Sequence, residues 1–567
     1  MGKTLDRDGE IRQNTLGSLR IRHHETNEII LVPTPTNDPN DPLNWSSGYR
    51  YYLVILVCLA IFFCNFLAAG PTVAIVETTE DFFGPMGPDF NSQIAKVSYF
   101  YSTTAFLQGL GNLFWMPIIL KYGRRPAYIC SFTLYTACAA WAGGSTSYGS
   151  ELASRIIMGF ANGAGECLAP LTIADIFYLH ERGHFMAIYT AFLSAGVGGG
   201  IVISGLITIN HSWRYIYWVA VALIGALTCL VILTFPETEY DRSPKISNLG
   251  QPYEPPMTFE EAEIGLGTKS LTDKDSIRFK HQKEGGPEHS HTERSQDREA
   301  ANETVPIPKK RTYLETLKIF TGTYTDESLL KLFLRPVLLL ALPPVLYATL
   351  CMSVTIGFLV AITSNFATAF STYYGFEAWQ SGLCFISALI GSAAGIFFGG
   401  RFGDWVADWF TRRNNGVREP EMRLPGMILG GCLAPTSLVM YGVGIGNGVH
   451  WICPTIALGL LTFSIVQATN ITLVYTIDAY RPIAGEITVT QLCFKACFGF
   501  LLSFYTNPWI DEAGYQRAFG AMAGISGGVL IWGIFFYFFG RRIRHATWEW
   551  NWVKAGVHWG GDREVGE

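Results

Sequence analysis

Two ionisable residues, Glu166 and Lys495, stand inside long uncharged stretches of this 567-residue sequence. Apolar stretches of this kind are typical of membrane spans. A charge at the centre of a bilayer costs at least about 2.5 kcal/mol, so it normally faces an opposite charge or a water-filled cavity. A carboxylate and an amine in such surroundings can exchange protons, attract charged ligands or pair with each other.

Three interpretations of these two residues are open. In the first, Glu166 accepts a proton, because burial favours its neutral form, and its ionised form attracts a cationic substrate. In the second, Glu166 and Lys495 pair with each other across a cavity and gate it. In the third, they form a fixed pair, or pair with other polar groups, and only hold helices together.

The elements that position these charges are apolar segments of about 20 residues, long enough to cross a hydrocarbon core about 30 Å thick. The chain is 49% hydrophobic and 15% charged, with a mean hydropathy of +0.23, whereas soluble domains carry about 25% charged residues. The sequence therefore predicts an all-α integral membrane protein. Its twelve spans are predicted at 52–76, 96–119, 126–146, 151–178, 185–208, 214–235, 338–365, 379–400, 425–445, 449–477, 485–506 and 518–540.

A polar central segment divides the spans into two groups of six. The predicted domains are an N-terminal tail (1–50), a six-helix bundle (51–238), a central loop (239–334), a second six-helix bundle (335–541) and a C-terminal tail (542–567). The last part of the loop, 312–334, has apolar residues at near-helical spacing among charges, which predicts an interfacial helix. Two similar halves are typical of transporters whose site lies between them.

Lysine and arginine are concentrated in alternate loops, which indicates the orientation of the chain. The basic loops contain Lys121, Arg124, Arg125, Arg182, Arg401, Arg412, Arg413, Arg418, Arg423 and Arg481. These loops, the central loop and both termini are therefore predicted to be cytosolic. An even number of spans is consistent with both termini on one side.

The loop after the second span contains Gly123-Arg124-Arg125, and the equivalent loop of the second half contains Gly400-Arg-Phe-Gly-Asp404. Arginines after a glycine turn can bind carboxylates and helix C-termini, and so hold helix ends together. These loops resemble the signature of the major facilitator superfamily, which has an acidic residue before Gly-Arg-Arg. Leu120 stands at the acidic position in the first copy, so a charge clip within the helix is predicted in the second half alone.

Two further patterns resemble the same superfamily. Arg155 and Gly159 match its fourth-span motif, whose arginine the resemblance links to proton coupling. Asp175 follows at the exit of that span, and both Arg155 and Asp175 are candidates for proton coupling or gating. Gly196, Gly200 and Gly205 match the glycine register of the proton-antiporter branch, with Ile201 in place of proline and Ser204 in place of glycine. The direction of transport therefore stays open, and close helix packing is the alternative role of these glycines.

Segments 41–45, 235–238 and 419–424 resemble the fungal twelve-span drug:proton antiporter branch. The resemblance implies two pseudo-symmetric bundles, with spans 1, 4, 7 and 10 lining a central cavity and spans 2, 5, 8 and 11 flanking it. It also implies that Glu166 and Lys495 could both reach this cavity, one from each half. The principal polar or aromatic candidates on the lining spans are Asn65, Asn162, Tyr347, Gln467, Asn470 and Tyr475, and Gln108 and Gln491 are weaker candidates. Each could bind substrate or hydrogen-bond a neighbouring helix.

The sequence predicts a monomeric, proton-coupled exporter of small amphipathic or cationic organic compounds, such as toxins, drugs or polyamines. The resemblance implies that it lies in the plasma membrane. Proton-coupled uptake of a nutrient or cation is the alternative, and a non-transporting nutrient sensor is a further one. The sequence has no nucleotide-binding glycine loop, metal-ligand cluster or nucleophile motif. No enzymatic activity, cofactor, metal or nucleic-acid partner is therefore predicted; the predicted partners are the bilayer, the substrate and protons.

Overall fold

The computed structural model describes residues 19–20, 36, 38–85, 87, 90–240, 309–325, 327–414, 417–480, 483–548 and 550. Spans 1 to 6 are Ser47–Ala69, Phe90–Tyr122, Arg124–Gly143, Tyr148–Ile176, Leu179–Thr208 and Arg214–Thr234. Helices satisfy every backbone polar group within one segment, as a hydrocarbon environment requires. Polar caps mark some of their ends: the Ser147 hydroxyl accepts a hydrogen bond from the Ser150 amide at the start of span 4 (3.3 Å).

The second half repeats this architecture. Spans 7 to 10 are Pro343–Tyr374, Ala378–Arg413, Ile428–Gly446 and Ile452–Ala479, and spans 11 and 12 share the continuous stretch Ala484–Trp548. Gly514 divides that stretch, because its φ of 77° and ψ of 160° are not helical. A 3₁₀ segment, Pro420–Met427, leads into span 9.

By length and apolarity alone, ten segments of the described part could cross a membrane. The difference from the predicted twelve has two causes. Spans 11 and 12 count as one continuous segment, and span 3 is less apolar because tyrosine, threonine and serine are interspersed among its apolar residues. The helices themselves form the predicted twelve spans in two groups of six.

The spans give the bundle two ends, which we call the basic end, at the turn between spans 2 and 3, and the opposite end, at the turn between spans 3 and 4. The N-terminal tail reaches the basic end. There, strand β1 (Leu19–Arg20) pairs antiparallel with strand β2 (Val417–Arg418). The Tyr240 hydroxyl also donates a hydrogen bond to Asp38 (2.9 Å).

Two predicted boundaries need correction. The interfacial helix expected over 312–334 is not continuous: it consists of one turn, Tyr313–Thr316, and a helix, Leu329–Leu339. Gly322 lies between them with a φ of 134°, a conformation that interrupts a helix. Most of the predicted central loop, 241–308, lies outside the described residues.

The last helix continues to Trp548, beyond the predicted boundary at 541. Arg544 explains the extension, because its buried guanidinium pairs with Glu421 (3.0 Å) before span 9. Thr547 also lies 3.3 Å from the Tyr480 hydroxyl, at the end of span 10. These contacts hold the last turns of the helix against the bundle.

Spans 1 and 5 approach closely where span 5 carries glycine. A Cβ atom at Gly196 would lie 2.6 Å from the Phe62 carbonyl oxygen, and one at Gly200 would lie 2.9 Å from Phe66 Cα. Gly205, farther along, faces the start of span 8, where a Cβ atom would lie 3.4 Å from Trp379 Cα. The small residues therefore allow backbone-to-backbone packing.

We expect Gly200→Ala to destabilise the fold, because its methyl group would press against the backbone of Phe66. Overpacking of this kind costs about 1–3 kcal/mol. Gly524→Ala on span 12 is the matched control, since a Cβ atom there meets open space. Thermal unfolding of the purified protein should give a lower melting temperature for Gly200→Ala only; equal melting temperatures would show that this seam tolerates a methyl group.

Candidate functional site

A cavity lies between the two halves and opens towards the opposite end. It is lined mainly by spans 1, 2, 5, 7 and 11, whereas spans 1, 4, 7 and 10 were expected. Thr368 and Asn507 near its mouth are exposed, and Glu166 and Lys495 at its inner end are buried. Among the described residues that line the cavity, Glu166 and Lys495 are the ones that carry a charge.

Glu166 and Lys495 form an ion pair that joins the two halves. Lys495 Nζ, on span 11, donates to Glu166 Oε1, on span 4. The other carboxylate oxygen accepts a hydrogen bond from the side-chain amide of Asn112 on span 2 (3.2 Å). The Glu166 side chain is 1% exposed and that of Lys495 is 9% exposed. The structure thus brings together the two charges that the sequence singled out.

Close helix crossings explain why these two charges meet. Span 4 lies against span 2 at Gly163, where a Cβ atom would be 2.7 Å from the Gln108 carbonyl oxygen. Span 2 in turn lies against span 11 at Gly109, where a Cβ atom would collide with Ala496. Lys495 is next to that crossing and therefore reaches the carboxylate on span 4.

The remaining cavity wall combines hydroxyl, amide and aromatic groups. Ser503 of span 11 donates to the Ser102 hydroxyl of span 2 (2.9 Å). This hydrogen bond links the halves between the ion pair and the opposite end. Phe500 stacks on Phe106 at 4.4 Å between ring centroids. Of the six principal cavity candidates, Asn65 is the one found among the described residues of the wall.

Span 2 supplies a polar stripe to the cavity wall, and only Gln108 of this stripe was a candidate, a weaker one, from the sequence. Ser98, Tyr101, Ser102 and Gln108 all line the cavity. Their spacing of three, four and ten positions puts them on one face of a helix. A search for polar residues at helical spacing within an apolar segment would have found this face.

The other five cavity candidates lie elsewhere in the bundle. Asn162, Gln467 and Asn470 donate hydrogen bonds to backbone carbonyls of neighbouring segments, at 2.9, 3.0 and 2.7 Å. Tyr347 stacks on an aromatic ring of span 12, and Tyr475 is completely buried. None of the five is among the described residues of the cavity wall.

Arg155 lies behind the cavity wall. Its guanidinium is fully buried, pairs with Glu151 (3.2 Å) and donates to the carbonyl of Leu67 (2.9 Å) and to the Tyr217 hydroxyl. It also lies 5.3 Å from the ring centroid of Tyr101, which lines the cavity. Arg155 therefore supports the wall through an aromatic ring.

At the basic end, a carboxylate from the end of span 6 organises the Gly-Arg-Arg turn. Glu237 accepts hydrogen bonds from the backbone amides of Arg124 (2.9 Å) and Arg125 (3.1 Å), and so caps span 3. Burial raises the pKa of Glu237, while these N–H groups and the Arg124 charge act in the opposite direction. Gly123 has a φ of 98°, and a Cβ atom there would collide with the same carboxylate.

The two arginines of this turn bind different groups. Arg124 pairs with Asp175 at the end of span 4 (3.0 Å). Arg125 donates to the carbonyls of Phe235 and Ile232 at the C-terminus of span 6. Asp175, a candidate for proton coupling or gating, therefore lies at the basic end.

The second half has a corresponding cluster. Arg423, before span 9, binds Asp478 at the end of span 10 (3.2 Å) and Asp404 on span 8 (2.6 Å). Asp404 thus pairs with another segment, not within its own helix as expected. Its carboxylate also lies against Gly183, near the N-terminus of span 5, where a Cβ atom would collide with it. A carboxylate at a helix N-terminus is stabilising, so Asp404 contributes to contact between the halves.

At the seam between spans 2 and 11, where Leu120 replaces an acid, the acidic groups come from other segments. Glu486 lies in the first turn of span 11 and accepts a hydrogen bond from Arg335 (3.1 Å). Arg335 also pairs with Glu327 (2.6 Å), whose backbone carbonyl accepts from Lys121 of span 2 (3.4 Å). Charged residues therefore lie at both seams between the halves, the one between spans 5 and 8 and the one between spans 2 and 11, but the residues differ between the two seams.

Comparison with known proteins supports the interpretation of the fold. The profile of the Major Facilitator Superfamily matches residues 55–478. A solved structure of the proton:xylose symporter XylE, from the same superfamily, covers 87% of this chain and 97% of its own, with a TM-score of 0.56 and 12% identity. At that identity, the similarity concerns the fold alone, and it confirms the two six-helix bundles.

Several fungal transporters are similar over most of their length. An uncharacterised MFS-type transporter of Schizosaccharomyces pombe, C1271.10c, is 25% identical over 87% of this chain and 84% of its own. The protein HOL1 of Saccharomyces cerevisiae is 26% identical over 92% and 91%. The efflux pump vrtL of Penicillium aethiopicum is 25% identical over 89% and 88%.

The resemblance found in the sequence motifs is thus confirmed by the match over most of the chain and by the arrangement of the spans. The apolar helices make the protein a multi-pass integral membrane protein. The chain belongs to the major facilitator superfamily, whose members are membrane transporters and not enzymes.

Proposed function

We propose that this transporter couples the movement of small organic cations and amphipathic compounds to protons by alternating access. The observation that supports this proposal is the Glu166–Lys495 ion pair, which joins the halves at the inner end of the cavity. A cationic substrate in the cavity competes with Lys495 for the carboxylate. A proton on Glu166 removes the charge that attracts both.

This proposal combines two of the three interpretations of the pair: Glu166 is the proton acceptor, and its pairing with Lys495 is the gate. Both side chains border the cavity, a position that a purely structural pair does not need. Their attraction is strong in a buried environment and weakens when either group is neutralised. Binding, protonation and the separation of the halves are thereby linked.

The cavity wall supports a range of organic substrates. Aromatic rings and hydroxyl groups, including Tyr101 and Phe500, surround a single acidic group. Sites of this type bury apolar parts of a ligand and fix its polar part. Toxins, drugs and polyamines are the proposed classes.

Export is the proposed direction, and the relatives named as efflux pumps support it. Uptake is the second candidate, because Ile201 and Ser204 depart from the antiporter pattern. The basic loops support a cytosolic position for the basic end and both termini. We assign the transporter to the plasma membrane and expect a monomer.

In alternating access, the described conformation is closed at the basic end and open at the opposite end. At the basic end, Asp404 lies against Gly183 at one seam between the halves. At the other seam, Lys121 of span 2 donates to the backbone carbonyl of Glu327, whose side chain pairs with Arg335. These contacts must separate before the cavity can open to the basic side. The ion pair lies between the closed basic end and the open mouth of the cavity and is therefore able to link changes at the two ends.

We expect Glu166→Gln to lower proton-driven transport at least tenfold, because the amide cannot accept a proton or attract a cation. The measurement uses vesicles with purified protein, an imposed pH gradient, radiolabelled spermidine and a lipophilic cationic dye. Glu80→Gln is the matched control, since Glu80 is exposed at the opposite end. Full proton-driven transport by Glu166→Gln would rule out the proposed coupling role.

The single variant leaves Lys495 buried without its partner, and removing one member of a buried pair costs about 3–5 kcal/mol. The double variant Glu166→Gln/Lys495→Met removes both charges and should therefore fold more stably than Glu166→Gln. Thermal unfolding of the single and the double variant tests this expected difference in stability. If the double variant also transported normally with a pH gradient, the pair would be a structural element only.

Glu486→Gln should loosen the closed basic end, because Arg335 would lose a charged partner on span 11. A loss of about 1 kcal/mol corresponds to an opening equilibrium constant about fivefold larger for this contact. Hydrogen–deuterium exchange should increase at the start of span 11, and Glu512→Gln, at the exposed opposite end, should leave it unchanged. Unaltered exchange in Glu486→Gln would mean that this pair does not hold the gate.

A further inference from the structure

Asn112 has an unusual position beside the ion pair. Its side chain is fully buried, and its amide nitrogen donates to Glu166 Oε2 (3.2 Å). Its amide oxygen is buried and has no hydrogen-bond partner in the described part of the chain. A buried polar atom without a partner is destabilising, so an arrangement that keeps one calls for an explanation.

The explanation lies in the two charge states of Glu166. An ionised carboxylate only accepts hydrogen bonds, whereas a protonated carboxyl also has an O–H that needs an acceptor. A side-chain amide contains both a donor and an acceptor, and the rotation that exchanges them is a broad, two-fold torsion. Asn112 can therefore donate to ionised Glu166 and accept from protonated Glu166 without moving its backbone.

The other groups around Glu166 cannot do the same. Lys495 only donates. The Tyr189 hydroxyl, on span 5, donates its hydrogen bond to the backbone carbonyl of Glu166 (3.4 Å) and not to the carboxyl group. The titratable groups that remain close to the carboxylate are thiols, which are weak hydrogen-bonding groups: Cys64 on span 1, Cys167 on span 4 and Cys493 on span 11.

We propose that Asn112 is a positioning residue that holds the Glu166 carboxyl in both its ionised and its protonated states. The carboxyl can then take up a proton when Lys495 leaves, and release it when Lys495 returns, without losing its place at the inner end of the cavity. This inference rests on the proposed role of Glu166 as proton acceptor. It assigns to span 2 a part in coupling beyond lining the cavity.

The position of Asn112 also fits this role because span 2 is held on both sides. A Cβ atom at Gly163 of span 4 would lie 2.9 Å from the Asn112 backbone nitrogen. Three residues before Asn112, span 2 crosses span 11 at Gly109, where a Cβ atom would collide with Ala496. The amide is thus fixed where the two halves meet, and it moves with the half that contains Glu166.

Asn112→Leu tests the proposal, because leucine has a similar size and no hydrogen-bonding group. We expect proton-driven accumulation of radiolabelled spermidine and the cationic dye to fall at least fivefold, and the pH–rate profile to flatten. Exchange of the same probes across vesicles without a pH gradient should stay within twofold of the unaltered protein. Asn112→Ser, whose hydroxyl can donate and accept, should restore the shape of the pH profile.

Asn162→Leu is the matched control for a buried asparagine, since Asn162 donates to a backbone carbonyl of span 1 and not to Glu166. Rates are compared per folded protein, so a loss of stability alone does not change the pH profile. A pH profile of Asn112→Leu equal to that of the unaltered protein, with Glu166→Gln inactive, would overturn the role of Asn112 alone. Full coupling in Glu166→Gln would overturn both proposals.

Discussion

The buried ion pair between Glu166 and Lys495 is the interaction on which the rest of this structure depends. Each charge alone would be costly in an apolar bundle, so each requires the other. Because the partners lie on spans 4 and 11, their attraction also holds the two halves together at mid-depth. Any event that neutralises one partner therefore changes the packing of the halves.

Such a pair needs helices that approach closely and reproducibly. Lipid tails are as apolar as leucine side chains, so close packing and hydrogen bonds drive association of spans. Gly109 and Gly163 bring spans 11 and 4 against span 2, and Gly200 brings span 5 against span 1. The glycine positions and the charged pair thus belong to one arrangement. The glycines allow the helices to approach closely enough for Glu166 and Lys495 to form their ion pair.

The basic end shows how a family pattern is kept with different residues. Leu120 removes the acidic group that the pattern places on span 2, while Asp404 keeps it on span 8. At the seam between spans 2 and 11, Glu486 and Glu327 both pair with Arg335 and so supply acidic groups there. The physical requirement is a carboxylate near the end of a facing helix, and the segment that supplies it can change.

The sequence alone determined the class of protein, the number of spans and their division into two groups. It also singled out Glu166 and Lys495 as isolated charges within apolar spans. These features follow from composition, segment length and isolated charges in apolar stretches, which are local properties. Only the tertiary structure decided that Glu166 and Lys495 meet, that Asn65 lines the cavity while Asn162 and Gln467 hold neighbouring helices, and that Arg155 stands behind Tyr101. The physical reason is rotation: a span of known length can present any face to the cavity, and helix packing selects one.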